Sequence, residues 1–521
     1  MDTKALRQKI LDLAIRGKLV PQDPADEPAS VLLERIRAEK QQMVKDGKLK
    51  AKDIKNDTVI YVGEDNLHYE KFSDGTVKCI EDEIPFEIPD GWAWARVFNV
   101  STDLPYGTAK KSYPAGKMAV LRMGNLQNGE IDYRDLVYSS DEEDIAKYSL
   151  CPGDLLFNRT NSAELVGKTA IYRGSVPAIY AGYLIRIHPL VNPEYLNAVM
   201  NSQYAKQYCY YVKADSVSQS NINANKLGAF LIPIPPANEQ KSISKEVSVF
   251  LPIISALQEH ETKVKELCAE AKSRILDLAI RGKLVPQDPA DEPASVLLER
   301  IRADKEEQIK AGKIKRDKKE SFIFRGEDNS YYEIVDSRKT CLDEDLPFEI
   351  PQNWQWVRLG TLFQHNTGKA LNSSDNNGER LEYITTSNVY WNRFELQELK
   401  RMPFSESELE KCSIRKGDLL VCEGGDIGRA AIWEFDEPMM IQNHIHRLRP
   451  YIEVSPLFYL YVLYRYKQIG LIGGNGIGIQ GLSSNAIHQL IIPLPPIAEQ
   501  KRIISAVHSL FAPIERIQNA L

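Results

Sequence analysis

The sequence predicts an α+β protein: two similar mixed α/β domains, separated by long antiparallel or coiled-coil helical regions and related by a pseudo-two-fold, circular repeat. Three observations predict this class. Residues 10–38 recur without a change at 275–303, shorter motifs recur in the same order, and apolar residues at steps of three and four flank both copies. The 521 residues are 43% hydrophobic and 26% charged, an ordinary globular composition that allows several cores.

The repeat continues beyond the identical stretch in weaker motifs. GEDN, [IL]PFEIP, GDLL and IP[IL]PP followed by EQK each occur once per half, starting at Gly63 and Gly326, Ile84 and Leu346, Gly153 and Gly417, and Ile232 and Ile492. A period near half the chain indicates two domains built alike rather than a solenoid of short repeats. The offset between the halves falls from 265 residues at the identical stretch to 260 residues at the motif that starts at Ile232 and Ile492. An offset of 260 places Leu521 opposite Glu261, so we expect a ring of two units that is opened within one connector.

The helical regions follow from heptad-like apolar spacing. It runs from Ile243 to Leu278 and again from Ile503 to Leu521, the pattern of helices that wrap a partner helix. Gly17 and Gly282 stand where a left-handed glycine ends a helix. The chain is therefore predicted to contain an N-terminal helical region, a first α+β domain, a central helical spacer, a second α+β domain and a C-terminal helix, at residues 1–45, 46–236, 237–310, 311–496 and 497–521.

The two α+β domains share a scaffold and differ in detail. Short β-branched and aromatic runs such as KTAIYRG and RAAIWEF alternate with Gly, Pro and Asn, which is typical of compact mixed domains. Outside the shared motifs there is little similarity: VLRMGNLQNGEID stands where the second domain has YITTSNVYWNRFE. The net charge of −6 does not by itself indicate a nucleic-acid partner, but it leaves room for one basic face per domain.

Motifs that would indicate an enzyme are incomplete. Gly476, Gly478 and Gly481 spell G-x-G-x-x-G, but LSSNAIHQLIIPLPP follows instead of the long helix that a dinucleotide site requires. Lys168 and Thr169 resemble the end of a P-loop that lacks its first glycine, and no N/D-P-P-Y/F stretch of an amino-methyltransferase occurs. We therefore predict a chain without catalysis and without a bound cofactor.

Metal, disulfide and membrane features are also missing from the sequence. His444 and His446 have no third ligand placed nearby, and the seven cysteines are scattered without a C-x-x-C pair, so neither a metal site nor a disulfide framework is predicted. The sequence has no secretory leader and no apolar run of about 18 residues. We expect a cytoplasmic protein that does not contact a membrane.

Together, the connector text LDLAIRGKLVPQDPxDEPASxLLxRI, the GDLL turn followed by GKTAI or GRAAI, and the PxPPxxEQ closure resemble the specificity subunit of type I restriction-modification systems. The resemblance covers essentially the whole chain. It implies a non-catalytic subunit that binds double-stranded DNA, with two target-recognition domains that each read half of an asymmetric bipartite site. The implied partners are two methyltransferase subunits, which use S-adenosylmethionine, and two restriction subunits, which use ATP and Mg.

The resemblance implies regions of DNA contact rather than particular residues. We therefore selected extensible polar side chains in the divergent segments, because Arg and Lys pair with guanine, and Asn and Gln with adenine. The candidates are Arg122, Asn125, Gln127, Arg159, Asn161, Lys168, Gln219, Ser220, Asn221, Thr385, Ser387, Asn388, Arg393, Arg429, Asn443, Gln480 and Ser483. The candidate docking side chains of the helical regions are Leu13, Ile36, Ile243, Val247, Phe250, Leu278, Ile301, Ile503, Val507 and Leu510.

Two alternatives remain open at the level of sequence. A fused methyltransferase-endonuclease would bind S-adenosylmethionine and hold a flipped base, and the absent motifs argue against it. A pure assembly scaffold would join protein partners without DNA. That alternative leaves unexplained why the connector text is repeated unchanged while the two domains diverge.

Overall fold

The computed structural model describes residues 2–215, 219–316, 320–371, 378–473 and 482–521. The chain forms two compact units, Met1–Glu261 and Thr262–Leu521. One helix, Ala237–Ile280, begins in the first unit and ends in the second. Each unit therefore contains its own pair of connector helices and its own sheets.

The first unit begins with two helices and ends with the start of a third, with strands and short helices between them. Its elements are α1 (Thr3–Ile15), α2 (Ala29–Lys45), β1 (Val59–Val62), β2 (His68–Lys71), β3 (Val77–Cys79), β4 (Ala93–Arg96), β5 (Met118–Leu121), β6 (Leu126–Gln127), β7 (Glu130–Ile131), β8 (Val137–Ser139), α3 (Glu142–Tyr148), β9 (Leu155–Asn158), β10 (Thr160–Asn161), β11 (Thr169–Ile171), β12 (Ala178–Tyr180), β13 (Leu184–Ile187), α4 (Pro193–Met200), α5 (Gln203–Val212), β14 (Ala214–Asp215), β15 (Ser220–Asn221), α6 (Ala224–Gly228), β16 (Leu231–Ile234) and α7 (Ala237–Ile280).

The second unit repeats this order, with the end of α7 in the place of α1. It continues with α8 (Ala294–Lys310), β17 (Ser321–Arg325), β18 (Tyr331–Val335), β19 (Arg338–Cys341), β20 (Gln355–Arg358), α9 (Leu359–Leu362), β21 (Phe363–Thr367), β22 (Glu379–Ile384), β23 (Val389–Tyr390), β24 (Arg393–Phe394), β25 (Lys400–Phe404), α10 (Glu406–Cys412), β26 (Ser413–Ile414), β27 (Leu419–Cys422), β28 (Ala430–Ile432), β29 (Met439–Ile441), β30 (Ile445–Pro450), α11 (Pro456–Gln468), α12 (Ser484–His488), β31 (Ile491–Leu494) and α13 (Ile497–Ala520).

The sheets are small and mixed, as the α+β class predicts. The first unit has sheets of strand order β1-β2-β3, β10-β15-β14, β13-β9-β11-β7-β6, β12-β5-β8 and β16-β4. The second has β17-β18-β19, β20-β31, β21-β30-β27-β28, β25-β22-β29-β26 and β23-β24. Most pairs are antiparallel, but β12 runs parallel to β5, β11 to β7, and β22 to β29. In each unit the last strand of the mixed domain pairs with the strand that follows the first three-stranded sheet, β16 with β4 and β31 with β20.

The connector helices of the second unit run antiparallel. Lys272 Nζ, eight residues before the end of α7, lies 3.3 Å from Glu515 Oε1 near the end of α13. Beyond the end of α7, Gln287 Nε2 donates to Glu499 Oε1 near the start of α13, at 2.6 Å. Later residues of one segment thus meet earlier residues of the other, which confirms the antiparallel part of the predicted fold class.

Two glycines end the repeated helices in the predicted way. Gly17 follows α1 at φ 64°, and Gly282 follows α7 at φ 65°. A Cβ atom at Gly17 would come within 2.3 Å of the Pro89 ring, and one at Gly282 within 2.5 Å of the Pro351 ring. Glycine is required at both positions because the backbone is left-handed and a proline ring packs against it.

The glutamate of the PxPPxxEQ motif is buried and accepts hydrogen bonds from two other segments of its unit. In the first unit, Glu239 Oε2 accepts a hydrogen bond from Trp92 Nε1 at 2.8 Å, and its Oε1 accepts one from Gln22 Nε2 at 3.2 Å. Glu239 is only 4% exposed. The contact joins the start of α7, the loop after α1 and the entry to the mixed domain.

The second unit repeats this network with the same residue types. Glu499 accepts from Trp354 Nε1 at 2.9 Å and from Gln287 Nε2 at 2.6 Å. The neighbouring Gln500 accepts from the Ser455 backbone N–H at 3.0 Å and donates to Pro495 O at 2.9 Å. Glu239 and Glu499 therefore each accept from a buried tryptophan N–H and also bind an exposed glutamine in the loop after the repeated helix.

Asp154 and Asp418, the aspartates of the two GDLL turns, differ between the units in the cation that they bind. Asp154 accepts from the Cys151 N–H and lies 2.6 Å from His188 Nδ1. Asp418 forms the same turn, but two nitrogens of Arg449 contact it at 2.8 and 2.6 Å. The hydrogen bond to Asp154 raises the pKa of His188 above its ordinary value, whereas an arginine remains charged throughout.

We expect the stability of the first unit to fall as the pH rises above about 6.5, the pKa of an unfolded histidine. A raised pKa in the folded state means that the stabilisation is complete below the unfolded pKa and is lost as the pH rises through the folded pKa. Because His188 is partly exposed, the change in the free energy of unfolding should be about 1 kcal/mol or less. Thermal unfolding at several pH values measures it.

A matched pair of substitutions tests the assignment of this pH dependence. His188→Arg copies the arginine of the second unit and should remove the dependence from the first unit. Arg449→His should introduce it into the second unit. An unchanged pH profile in His188→Arg would assign the effect to another group.

Candidate nucleic-acid interface

The loop before the β6–β7 hairpin is shaped by Asn125. Its Oδ1 accepts from the Arg122 N–H at 2.8 Å, and its Nδ2 donates to the carbonyls of Asp132 and Asp135 at 2.9 and 3.0 Å. The side chain is 3% exposed. Both amide hydrogens are used within the loop, so Asn125 holds the backbone on which Arg122 and Gln127 lie.

Asn388 has the same role in the second unit. Its Oδ1 accepts from the Thr385 N–H at 2.9 Å, and its Nδ2 donates to Glu395 O at 2.9 Å. Thr385 Oγ1 also lies 2.7 Å from Ser387 Oγ. The same asparagine turn thus supports the loop in both units, while the surrounding side chains differ.

Strand pairing in the first unit brings three predicted residues together, Asn161, Ser220 and Asn221. β10 pairs with β15, which places Thr160 opposite Asn221 and Asn161 opposite Ser220. Asn221 Nδ2 donates to Thr160 Oγ1 at 2.8 Å, and Ser220 Oγ donates to an Asp215 carboxylate oxygen. Ser220 is 2% exposed, so it supports the strand, whereas Gln219 beside it is exposed.

Arg159 stands at the centre of this group. Its guanidinium carbon lies 4.5 Å from the centre of the Tyr106 ring, and its Nη2 is 3.5 Å from Asn221 Oδ1. Its Nε is buried and has no hydrogen-bond partner among the residues that the structure describes. A buried donor without a partner has a desolvation cost that an acceptor from a ligand would offset.

The β6–β7 hairpin joins the same surface. Asn161 Nδ2 lies 3.4 Å from Met123 Sδ, and Lys168 Nζ lies 3.5 Å from Gln127 Oε1. Arg122 pairs with the exposed carboxylate of Asp135 at 2.8 Å. The structure thus gathers Arg122, Gln127, Arg159, Asn161, Lys168 and Asn221 from four separate chain segments, and we call these six residues the first polar surface.

The second unit carries an arginine on an aromatic ring at the matching place. Arg429 follows the left-handed Gly428, as Lys168 follows the left-handed Gly167. Its guanidinium carbon is 4.8 Å from the centre of the Tyr390 ring, and Nη2 donates to Thr386 O at 2.5 Å. Arg429 Nε is buried and lacks a hydrogen-bond partner within the described part of the chain.

Arg393 reaches the same tyrosine from the neighbouring strand. Tyr390 and Arg393 are register partners, and the guanidinium of Arg393 also lies 4.8 Å from the Tyr390 ring centre. Arg393 contacts Glu395 at 3.2 Å. We call Thr385, Ser387, Tyr390, Arg393 and Arg429 the second polar surface.

The other predicted residues of the second unit have local roles or lie outside the described residues. The Asn443 N–H donates to Lys369 O at 2.9 Å, and the side chain is half-buried. Ser483 caps α12 by accepting from the Ala486 N–H at 3.3 Å. Gln480 and the G-x-G-x-x-G stretch from Gly476 to Gly481 lie outside the described residues.

Two tyrosines that contact arginines of these surfaces, Tyr106 and Tyr390, were not among the predicted residues. Tyr106 and Tyr390 each lie beneath an arginine, an arrangement that fixes the arginine by cation–π attraction. The signal was an aromatic residue inside an otherwise polar, divergent stretch, LPYGTAK in one half and SNVYWNRFE in the other. Sequence alone does not pair either tyrosine with its arginine, because Tyr106 is 53 residues from Arg159 and Tyr390 is 39 residues from Arg429.

The predicted docking side chains divide into buried and accessible ones. Six are almost fully buried and contribute to the cores of their own units: Ile36, Ile243, Val247, Ile301, Ile503 and Val507. Leu13 and Leu278 are half-buried. Phe250 is 37% exposed and Leu510 is 42% exposed. The docking hypothesis therefore rests mainly on Phe250 and Leu510, which lie on α7 and α13.

The two histidines of the predicted pair, His444 and His446, differ in burial. His446 is buried, with Nδ1 2.9 Å from His365 Nε2 and Nε2 2.6 Å from Leu482 O, while His444 is exposed.

Across the described residues, no group of three or more His, Cys, Asp or Glu side chains is arranged to hold a metal ion. No helix in the part of the chain that the structure describes has the length and apolarity that crossing a membrane requires.

One scaffold occurs twice in the chain and carries two polar surfaces that differ in their side chains. The family described as type I restriction modification DNA specificity domain matches residues 97–266 and 351–521. The chain belongs to this family, which confirms the predicted relationship to type I specificity subunits.

Curated relatives and a solved structure agree with this assignment. The specificity subunit of the type I restriction enzyme EcoAI from Escherichia coli is 26% identical, over 99% of this chain and 90% of the relative. The EcoEI specificity subunit, also from Escherichia coli, is 25% identical with the same coverage. A solved chain from work on complex assembly and conformational transition of the type I R-M system has a TM-score of 0.52 at 17% identity, covers 84% of this chain and 94% of its own, and shows the same fold.

Proposed function

We propose that this specificity subunit reads an asymmetric bipartite site on double-stranded DNA, one half with each unit. The observation that carries the proposal is the pair of polar surfaces, which occupy matching places on one scaffold but differ in side chains. Lys168 and Gln127 in the first unit correspond to Arg429 and Tyr390 in the second. Different donors and acceptors select different bases, so the two half-sequences should differ.

The chemistry of the surfaces suits a DNA groove. Arginine and lysine donate to guanine O6 and N7, asparagine and glutamine pair with adenine, and hydroxyl groups add contacts to either. The stacked arginines Arg159 and Arg429 have restricted side-chain freedom, which lowers the entropy cost of binding. Two domains with related folds favour half-sites in inverted orientation about one helical turn apart.

The helical regions complete the proposal. Residues 1–45, 237–310 and 497–521 would set the gap between the half-sites and dock two methyltransferase subunits, with two restriction subunits added in the full complex. The accessible apolar side chains Phe250 and Leu510 support a protein partner on α7 and α13. The chain itself would be non-catalytic and cytoplasmic and would bind no cofactor, with S-adenosylmethionine, ATP and Mg used by the partner subunits.

Methylation mapping tests the proposal. The chain is expressed with its companion modification subunit in a host without adenine methylation, and modified adenines are mapped across the genome. We expect a split motif of two unlike half-sequences around a gap of fixed length and free sequence. Exchange of residues 46–236 for those of another specificity subunit should change one half of the motif only.

The control is a companion subunit shown to be active with another specificity subunit. An active companion that gives no split motif with this chain would overturn the proposal in favour of an assembly scaffold.

A further inference from the structure

The tip of the β6–β7 hairpin decides where Gln127 presents its side chain. The two-residue turn Asn128-Gly129 follows Gln127 directly, and Gln127 is the register partner of Glu130. The φ angles are 53° at Asn128 and 84° at Gly129. Such a turn has positive φ at both central residues and leaves the backbone little freedom, so a shift of the tip moves the whole hairpin.

Two side chains from neighbouring helices hold this tip through its carbonyl oxygens. Arg7 Nη2 on α1 donates to Asn128 O, and Asn197 Nδ2 on α4 donates to Gly129 O at 3.0 Å. Arg7 therefore links a connector helix directly to the hairpin that carries Gln127. A hydrogen bond from a charged donor is stronger than one between neutral groups.

The hairpin lacks close apolar packing beside these anchors. A groove of about 580 Å³ lies next to the tip and is lined by Arg7, by residues 127–132 and by apolar residues of α1 and α7 such as Leu11 and Val247. Empty volume means missing van der Waals contacts on that side. Besides the backbone hydrogen bond from the Ile171 N–H to Gly129 O at 3.1 Å, the hydrogen bonds from Arg7 and Asn197 therefore hold the tip in place.

The second unit holds the corresponding turn differently. Its β23–β24 hairpin turns at Trp391 and Asn392, and the Trp391 ring packs edge-to-face on Tyr464 of α11, with ring centres 4.7 Å apart at 88°. Since Pro193 and Pro456 both begin their helices, Leu460 stands in the place of Asn197 and cannot donate a side-chain hydrogen bond to the turn. An aromatic contact replaces the hydrogen bonds.

The helix residue that corresponds to Arg7 is used elsewhere in the second unit. Lys272 contacts Glu515 at 3.3 Å and lies 5.3 Å from the centre of the Phe511 ring, both on α13. The second hairpin is thus held by Trp391, and Lys272 stabilises the connector helices.

We propose that Arg7 is a positioning residue for DNA recognition: it acts through Asn128 on Gln127 and thereby on the bases of one half-site, while the other half-site does not depend on the equivalent Lys272. The inference rests on the proposed function and extends it to a residue of the connector helix, outside the recognition domain. It implies that residues 46–236, transferred to another specificity subunit without Arg7, lose part of their discrimination between bases.

The test is methylation mapping of Arg7→Met, Arg7→Lys and Lys272→Met beside the wild type, each with the active companion subunit. The half-site of the first unit is identified as the one that changes when residues 46–236 are exchanged. In Arg7→Met we expect discrimination at one or more bases of that half-site to fall about tenfold, the scale of a hydrogen bond to a charged group. Arg7→Lys keeps a charged donor and should retain most of the discrimination, and Lys272→Met should leave both halves unchanged.

A second measurement separates positioning from general destabilisation. Hydrogen exchange in Arg7→Met should increase at residues 124–131, while the temperature of unfolding stays near that of the wild type. If Arg7→Met fails to fold, Asn197→Ala removes the other anchor of the same tip and should relax the same half-site.

The outcomes are distinct. A split motif in the wild type that Arg7→Met leaves unchanged, or relaxes equally in both halves, overturns the inference and leaves the proposed function intact. A wild type that gives no split motif overturns the proposed function, and the inference with it.

Discussion

Glu499→Ala should lower the free energy of unfolding of the second unit by about 2 kcal/mol, because it leaves the buried Trp354 Nε1 without an acceptor, whereas the exposed Gln287 amide keeps its hydrogen bond to Gly282 O. Glu499 has no exposed surface, so a cavity adds to the loss. Denaturant unfolding measures the change. Glu239→Ala should have an effect of similar size in the first unit, because Trp92 and Gln22 lose the same acceptor.

Two variants control this prediction. Lys501→Ala lies two residues from Glu499 but breaks only the exposed pair with Glu453, so it should change the free energy of unfolding by less than about 0.5 kcal/mol. Glu499→Gln keeps an acceptor for Trp354 and should cost less than the alanine. A Glu499→Ala variant as stable as Lys501→Ala would show that the network is dispensable.

The same carboxylate determines a small dependence on pH. Burial raises the pKa of Glu499 above its ordinary value, although the hydrogen bonds from Trp354 and Gln287 oppose this. The folded unit then binds the proton more tightly than the unfolded chain. This contribution to stability is therefore present at low pH and is lost as the pH rises through the folded pKa, the sign opposite to that of a carboxylate in an ion pair.

We expect Arg429→Ala to reduce discrimination at one base of the second unit's half-site by about ten- to a hundredfold, the effect of a lost bidentate contact. The Arg429 guanidinium is held on the Tyr390 ring, and its buried Nε has no hydrogen-bond partner among the described residues. It is therefore the residue of the second polar surface that we expect to contact a base. Arg429→Lys should recover only part of the discrimination, because an ammonium lacks the planar fork. Binding to DNA with single-base changes measures the effect.

Arg401→Ala is the matched control for this loss. Arg401 belongs to the same unit and pairs with Glu382 on an exposed sheet face, so its removal takes away one charge without touching the second polar surface. It should leave base discrimination unchanged. Equal losses in Arg401→Ala and Arg429→Ala would indicate a general electrostatic effect of the kind that salt weakens uniformly.

Much of the fold and part of the candidate site follow from sequence. The identical stretch 10–38 and 275–303, the left-handed Gly17 and Gly282, and the helix spacing all act over short distances along the chain, where periodicity and turn chemistry are strong signals. The repeated EQK motif likewise points to Glu239 and Glu499, although sequence does not show what they bind. Arg159 and Arg429 are candidates by sequence and remain so, and each lies on a tyrosine that sequence does not pair with it.

Sequence by itself determined that the chain has two homologous halves in circular order and a relationship to type I specificity subunits. Only the tertiary structure decided which polar side chains form hydrogen bonds within their own unit. Asn125 and Asn388 read as base-contacting amides, yet they satisfy carbonyls within their own loops, and Ile243 and Val247 read as docking side chains, yet they fill a core. The physical reason is that burial and hydrogen-bond pairing depend on segments that meet only in the folded chain, as Trp92 and Glu239 do across 147 residues.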